Sequence, residues 1–384
     1  MRVAIVTETW PPEINGVALT VQSLARGLAA LGHTVELVRP AQTREEPEQS
    51  DPTFEQVLLP GASLPRYPGL RFGLPARHAL QRRWSARRPD VLYIATEGPL
   101  GLTALGAGRR LGIPACTGFH TRFDDFARHY GVGFLTPIVF AYLRRFHNRA
   151  SATLVPTTEL VAFLRAQHFT NVQMLRRGVD GELFHPDRRD EALRCEWGLL
   201  PNDLAVIHVG RIAPEKNLEL AIDAFRAIKS AQPTARMVFV GDGPSRAALA
   251  GQNPDIVFTG AKRGDDLARH YASADLFLFP SLTETFGNVT LEALASGVRV
   301  VAFDYGAARA HLNDPHAGSR VAMADHQAFV VAALAMATNI AQESADMKRV
   351  SRSSTRDAVA DLDSAGVAAH FADLLADLSL RRAA

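Results

Sequence analysis

The chain has 384 residues, 47% hydrophobic and 21% charged, and 42 Lys+Arg against 40 Asp+Glu give a formal net charge of +2. That length predicts two domains of ordinary soluble composition, and the near-neutral balance argues against a nucleic-acid partner. Cys116 and Cys195 lack CxxC spacing, and no apolar run reaches the ~20 residues that cross a bilayer, so a disulfide framework, a zinc site and a membrane span are excluded and a reducing cytoplasm is expected.

Met1 to Val6 reads as a strand that meets Glu8, not as a signal peptide; Val3 to Val6 is apolar throughout, as in a buried parallel sheet. The loop Glu8-Thr9-Trp10-Pro11-Pro12-Glu13-Ile14-Asn15-Gly16 follows. An amphipathic helix then runs from Val17 to Leu31, and a strand from Val35 to Val38. This opening is Rossmann-like, but no G-x-G-x-x-G joins strand to helix, which argues against a dinucleotide enzyme. Gly16 offers a ligand a side-chain-free approach to a helix entrance; a plain turn glycine reads equally well. From Arg66 to Arg88, arginines interleave with Tyr67, Leu70, Phe72, Leu74, Leu80 and Trp84. Such a segment suits an anionic membrane surface or, more commonly, a solvated helix face. Strands at Val91 to Ala95 and Ala115 to Gly118 flank a helix from Leu102 to Leu111. His120 stands just past a strand's C-terminal end, where open α/β sheets bind ligands; it could meet a sugar hydroxyl or be satisfied by backbone. Asp124-Asp125 makes a poor chelate, because adjacent side chains diverge. A helix from Phe134 to Asn148 and a strand from Ala152 to Pro156 complete the first half.

Arg177 to Pro186 carries glycines and a proline and reads as a linker. The pattern restarts with a strand, Ala205 to Val209, then Gly210-Arg211-Ile212-Ala213-Pro214-Glu215-Lys216-Asn217, then a helix to Ser230. Arg211 and Lys216 would neutralise a diphosphate there; a surface pairing with Glu215 is the plainer alternative. Gly260 ends a later strand, Val257 to Thr259. The densest chemistry lies between Asp275 and Ala302. A strand, Leu276 to Phe279, meets a polar turn with Glu284; Gly287 and Asn288 introduce a helix, Val289 to Ala295; a strand follows, Val298 to Phe303. A helix entrance suits a phosphate, and Glu284 and Glu292 could each accept hydrogen bonds from vicinal hydroxyls. An ordinary αβ unit with two surface glutamates is the competing reading. Helices are expected at Phe329 to Ile340 and Asp357 to Leu378, the latter placing Asp361-x-Asp363 on a solvated face.

Glu284, Phe286-Gly287 and Glu292 form E-x-F-G-x-x-x-x-E, flanked by Tyr271-Ala272-Ser273-Ala274-Asp275 and Ala293-Leu294-Ala295-Ser296-Gly297. This resembles the signature of retaining glycosyltransferases of family 4, which have the GT-B fold. Pro11-Pro12 with Gly16, Phe119-His120-Thr121 with Tyr130-Gly131, Gly178-Val179-Asp180 with Phe184 and Pro186, and Gly210-Arg211 with Glu215-Lys216-Asn217 resemble the family's other motifs, in the family's order, over nearly the whole chain. Arg299 departs from the family's usual proline. Asn15-Gly16, where many members have two glycines, resembles the lipid-directed mannosyl- and sulfoquinovosyltransferases.

The resemblance implies an α/β GT-B protein: two Rossmann-like domains with parallel sheets facing a central cleft. The acceptor-binding domain would span 1–178, the nucleotide-sugar domain 179–355, and a C-terminal helix in 356–384 would pack back on the first domain. Glu292 would bind ribose hydroxyls, and Gly260 would border the base. Arg211 and Lys216 would grip the diphosphate, helped by backbone at Asn15-Gly16 and Gly287. Glu284 and the backbone of Phe286, Gly287 and Asn288 would contact the donor hexose. His120 would line the reacting centre, with Arg122 and Asp124 facing the acceptor. Catalysis is expected from His120, Glu284, Arg211 and Lys216, with no metal or other cofactor. GDP-mannose as donor and a lipid or glycan as acceptor are favoured. A UDP-hexose transferase, a phosphorylase or epimerase of the same fold, and a non-catalytic nucleotide-sugar sensor are the alternatives. Peripheral contact with the inner membrane face would run through Arg66–Arg88.

Overall fold

The structure is a computed structural model that describes residues 1–11, 13, 15–41, 53–63, 71–120 and 136–380. The chain divides into two compact units, Met1–Arg177 with Ser364–Ala384, and Gly178–Asp363.

The described strands of the first unit are β1 (Arg2–Val6), β2 (Thr34–Pro40), β3 (Glu55–Leu59), β4 (Gly61–Ser63), β5 (Arg71–Gly73), β6 (Val91–Ile94), β7 (Ala115–Gly118), β8 (Ala152–Val155) and β9 (Val172–Met174). Seven of them form a parallel sheet ordered β3-β2-β1-β6-β7-β8-β9, while β4 and β5 make a separate antiparallel pair. The central strands are apolar because helices cover both faces of such a sheet. Helix Gly16–Ala30 turns Ala18, Val21, Leu24, Ala25 and Leu28 inward at helical spacing. The last helix, Ser364–Leu380, packs on it so closely that a Cβ on Gly27 would stand 2.2 Å from the Ala368 Cβ.

The second unit holds six parallel strands, β10 (Ala205–Val209), β11 (Arg236–Val240), β12 (Val257–Gly260), β13 (Leu276–Phe279), β14 (Arg299–Phe303) and β15 (Gly318–Val321), ordered β12-β11-β10-β13-β14-β15. Strand order therefore reverses between β1 and β6 in one unit and between β10 and β13 in the other. At such a switch point the loops leaving the C-terminal strand ends part and form a crevice for ligand.

Two expectations change. The helix read from Asp357 to Leu378 starts only at Ser364 and runs to Leu380; a turn precedes it and joins it to a further helix, Ala345–Asp357. Val359 and Leu362 prolong the apolar spacing, but they pack into the second unit's core from that turn. Asp361 and Asp363 are exposed in the turn and not on a helix face. Val179 pairs with Asp363 in an isolated bridge, which closes the second unit there. In the arginine-rich segment the helix is Arg77–Ala86, and Leu80 and Trp84 are buried in the first unit's core, so neither is available to a membrane. Two of its arginines are engaged as well: Arg83 pairs with Glu36 (3.1 Å) and Glu55 (2.5 Å), and Arg87 with Glu55 (2.6 Å). Residues 66–70 lie outside the described residues. Among the described residues no helix is long and apolar enough to cross a membrane.

Candidate active site

The loops that leave β10 and β13 bring the predicted polar residues together. After β10 the chain makes a short 3-10 turn, Pro214–Lys216, and Asn217 takes a left-handed conformation (φ +52°) to enter the helix Leu218–Ala231. This turn aims Lys216 across the switch point, where its ammonium pairs with Glu284 Oε1. The same oxygen accepts a hydrogen bond from Ser281 Oγ at 3.0 Å, and Glu284 Oε2 takes none from a described residue. The loops are stitched by backbone too, since the Leu282 N–H donates to the Glu215 carbonyl at 3.1 Å. Lys216 Nζ also sits 5.9 Å from the centre of the Phe279 ring, a placement that favours a cation. Arg211 Nη1 stands 3.6 Å from Glu215 Oε1, yet the Arg211 side chain is 44% exposed. It can turn towards an incoming anion at little cost, because an exposed ion pair is weak.

The helix entrance after β13 is as the sequence suggests. Gly287 caps the helix Asn288–Ala295 at φ +91°, a conformation that glycine adopts without strain. Gly287 brings no side chain to cap the helix; the Thr290 N–H turns back to the Gly287 carbonyl at 3.0 Å, and the entrance carries the positive end of the helix dipole, which suits an anion. Phe286 is buried, and its carbonyl accepts the Ala307 N–H at 2.7 Å, which fixes the backbone before Gly287. Asn288 begins the helix. Glu292 lies just past its first turn, and its Oε2 accepts the Tyr271 hydroxyl at 3.0 Å. Burial pushes the Glu292 carboxyl up to about 7. Gly260 ends β12, two strands from β10, with φ +76° and its carbonyl bonded to the Gly241 N–H at 2.9 Å. Arg299, the departure from the expected proline, is buried and ion-paired with Glu343.

Five predicted residues belong to the first unit, three of them among the described residues. Asn15 is an N-cap: its Oδ1 accepts the Ala18 N–H at 2.7 Å, and its Nδ2 donates to Thr9 Oγ1 and Glu13 Oε1, both at 2.6 Å. The amide is thus fully engaged within its own loop, while Gly16 beside it is exposed. His120 is buried with both ring nitrogens occupied. Arg177 Nη2 donates to Nδ1 at 2.5 Å; a guanidinium can only donate, so the proton sits on Nε2 and points to the Tyr93 hydroxyl at 2.8 Å. Burial, then the charge of Arg177 and His147, holds the ring well below its usual pKa, so it is neutral. So bonded, the ring has no free nitrogen to take a proton. Arg122 and Asp124 lie outside the described residues.

Sequence reasoning missed the supporting side chains: Tyr271 under Glu292, and Arg177 and Tyr93 around His120. It also gave no task to Glu8, whose Oε1 accepts the Leu100 N–H at 2.9 Å at the start of helix Pro99–Leu111 and whose carboxyl burial pushes up to about 7. Glu8 was visible as a carboxylate ending the first strand. The other three come from separate elements; Tyr271 and Arg177 stand in stretches already singled out, but nothing local marks them as partners of Glu292 and His120. Among the described residues no three His, Cys, Asp or Glu side chains gather to hold a metal ion.

Comparison with known proteins gives the same picture. A family described as "Glycosyl transferases group 1" matches residues 203–339, and one described as "Glycosyltransferase Family 4" matches residues 14–183. The chain is 37% identical over 313 residues to a GDP-mannose-dependent alpha-mannosyltransferase of Mycolicibacterium smegmatis, covering 80% of this chain and 81% of that protein. It is 32% identical over 311 residues to a GDP-mannose-dependent alpha-(1-6)-phosphatidylinositol dimannoside mannosyltransferase of Mycobacterium tuberculosis, covering 78% and 79%. The structure of sucrose-phosphate synthase from Thermosynechococcus elongatus superposes with a TM-score of 0.80 at 18% identity, covering 98% of each chain, and shares the fold. The motifs around Glu284 and Lys216, the two parallel sheets and these relatives agree: the chain belongs to glycosyltransferase family 4 and is a glycosyltransferase of the GT-B fold.

Proposed function

We propose that this glycosyltransferase moves mannose from GDP-mannose to a lipid or glycan acceptor, with retention of anomeric configuration and without a metal. The observation that carries the reading is the pairing of Lys216 with Glu284 at the β10–β13 switch point, with Arg211 on the same loop as Lys216, in a chain 37% identical to a GDP-mannose-dependent mannosyltransferase. The second unit takes the donor. Glu292 receives the ribose hydroxyls, Arg211 and Lys216 neutralise the diphosphate with the N–H groups after Gly287, and Glu284 Oε2 receives hexose hydroxyls.

In the step itself, the bond between the anomeric carbon and the phosphate oxygen breaks, and its electrons go to that oxygen. The acceptor hydroxyl attacks from the same face and passes its proton to the leaving phosphate. The two cations stabilise the charge that develops there. The neutral, doubly bonded His120 supports this path, because its ring offers no base of its own. The name of the Mycobacterium tuberculosis relative supports a lipid acceptor, and with it a cytoplasmic enzyme working at a membrane surface.

The test is transfer from GDP-mannose or UDP-glucose to a membrane lipid extract in EDTA, with the product anomer read by NMR. An α-mannosyl product from GDP-mannose is expected. Transfer from UDP-glucose alone, a β-linked product, or activity restored only by added Mg²⁺ would overturn the corresponding part of the reading.

A further inference from the structure

Tyr271 lies in the last turn of the helix Gly264–Ser273, and its side chain is fully buried. It is held edge-on between Phe184 (centroids 5.8 Å, 82°) and Phe277 (6.0 Å, 71°), so the ring is fixed and the hydroxyl has one near place to point. That place is Glu292 Oε2 at 3.0 Å; the Val289 carbonyl is a longer alternative at 3.4 Å. Burial and the neighbouring carboxylate keep the phenol protonated far above its usual range, so the hydroxyl is always a donor. The other oxygen of Glu292, Oε1, receives no hydrogen bond from a described residue and is not among the sealed, unpartnered atoms. A phenylalanine would fill the same aromatic slot; what tyrosine adds is one charge-assisted bond to that carboxylate.

We propose that Tyr271 is a positioning residue for donor recognition: by clamping Oε2 it fixes the Glu292 carboxylate so that the remaining lone pairs accept the two hydroxyls of the nucleotide ribose. The proposal rests on the reading of Glu292 as the ribose ligand. It makes Tyr271 a determinant of ribose selectivity that never touches the nucleotide. A carboxylate free to swing loses the paired geometry that discriminates a diol from a sugar lacking it.

The test is calorimetric titration of the full chain with GDP and with 2′,3′-dideoxy-GDP. The wild type should prefer GDP by roughly tenfold or more, as a pair of hydrogen bonds to a charged group requires. Glu292→Ala should erase the preference. Tyr271→Phe should reduce it several-fold, with kcat at saturating donor within about twofold of the wild type. If the wild type shows no preference, the ribose reading of Glu292 fails and Tyr271 falls with it. If the wild type discriminates, Glu292→Ala does not, and Tyr271→Phe discriminates as well as the wild type, only the positioning role is overturned. Should Tyr271→Phe lower thermal stability, the double variant decides. Adding Tyr271→Phe to Glu292→Ala must leave GDP affinity unchanged if the tyrosine acts through the carboxylate, whereas additive losses would mean a general structural role.

Discussion

Lys216 and Glu284 are 68 residues apart in sequence and in contact in the fold. The pair holds an ammonium ready at the switch point, where the electrostatic stabilisation of a leaving diphosphate is needed. Lys216→Met should lower kcat by about 10²–10³-fold, the usual cost of removing one preorganised charge-stabilising group; steady-state kinetics at wild-type rates would contradict this role. Glu292 gives a pH prediction. Burial raises its carboxyl to about 7 in the folded protein, above the ordinary carboxylate value, so the ionised form predominates only above about 7. By linkage this group favours the fold at low pH and loses that contribution as pH rises through about 7, while ribose binding needs the ionised form and behaves oppositely. GDP affinity should therefore fall as pH drops from 8 to 6, and Glu292→Gln should flatten the profile once the nucleotide's own titration is subtracted. Arg211, Lys216, Glu284 and Glu292 could be singled out in the sequence because they stand in stretches after strand ends that resemble the motifs of a known family; spacing alone left a surface reading open for each. Their pairings could not, because Lys216–Glu284, Tyr271–Glu292 and Arg177–His120 join elements whose neighbourhood only the strand order decides.

At the scale of elements, strand, turn and helix between Asp275 and Ala302 were readable from an apolar run, a polar turn and Gly287. The residue that anchors this unit was not. Asp275 accepts from Arg352 at 2.7 Å, Arg194 at 3.1 Å, Arg189 at 3.2 Å and the Ala205 N–H at 2.9 Å, and so ties the helices at Glu191–Glu196 and Ala345–Asp357 to β10 and β13. Burial alone would raise its pKa; Arg352, Arg189 and Arg194 outweigh that and hold it well below the carboxylate range. Its contribution to stability is thus present at neutral and mildly acid pH and is lost only on further acidification. Asp275→Asn leaves three arginines without their common counter-charge and should cost about 3–5 kcal/mol, read by denaturant unfolding. The helix Ala345–Asp357 escaped the sequence reading because it buries only Thr355 and offers no apolar stripe. The turn after it was mistaken for helix because Val359 and Leu362 keep a helical spacing while serving the second unit's core.

At the scale of the whole molecule, two parallel sheets and the family followed from motif order. What the sequence could not reveal is how tightly the chain's last helix returns to its first. Gly27 against Ala368 is a backbone-to-methyl approach within the first unit. Gly27→Val should push those helices apart and cost about 1–3 kcal/mol, as overpacking does, lowering the thermal midpoint of the first unit.

The most direct test of the donor site is calorimetric titration of the wild-type chain with GDP, UDP and ADP in EDTA. A site built from Arg211, Lys216, Glu284 and Glu292 for GDP-mannose predicts that GDP binds more tightly than UDP or ADP, and that Glu292→Ala weakens it. Tighter binding of UDP, or no binding of any of the three, would contradict the proposed donor.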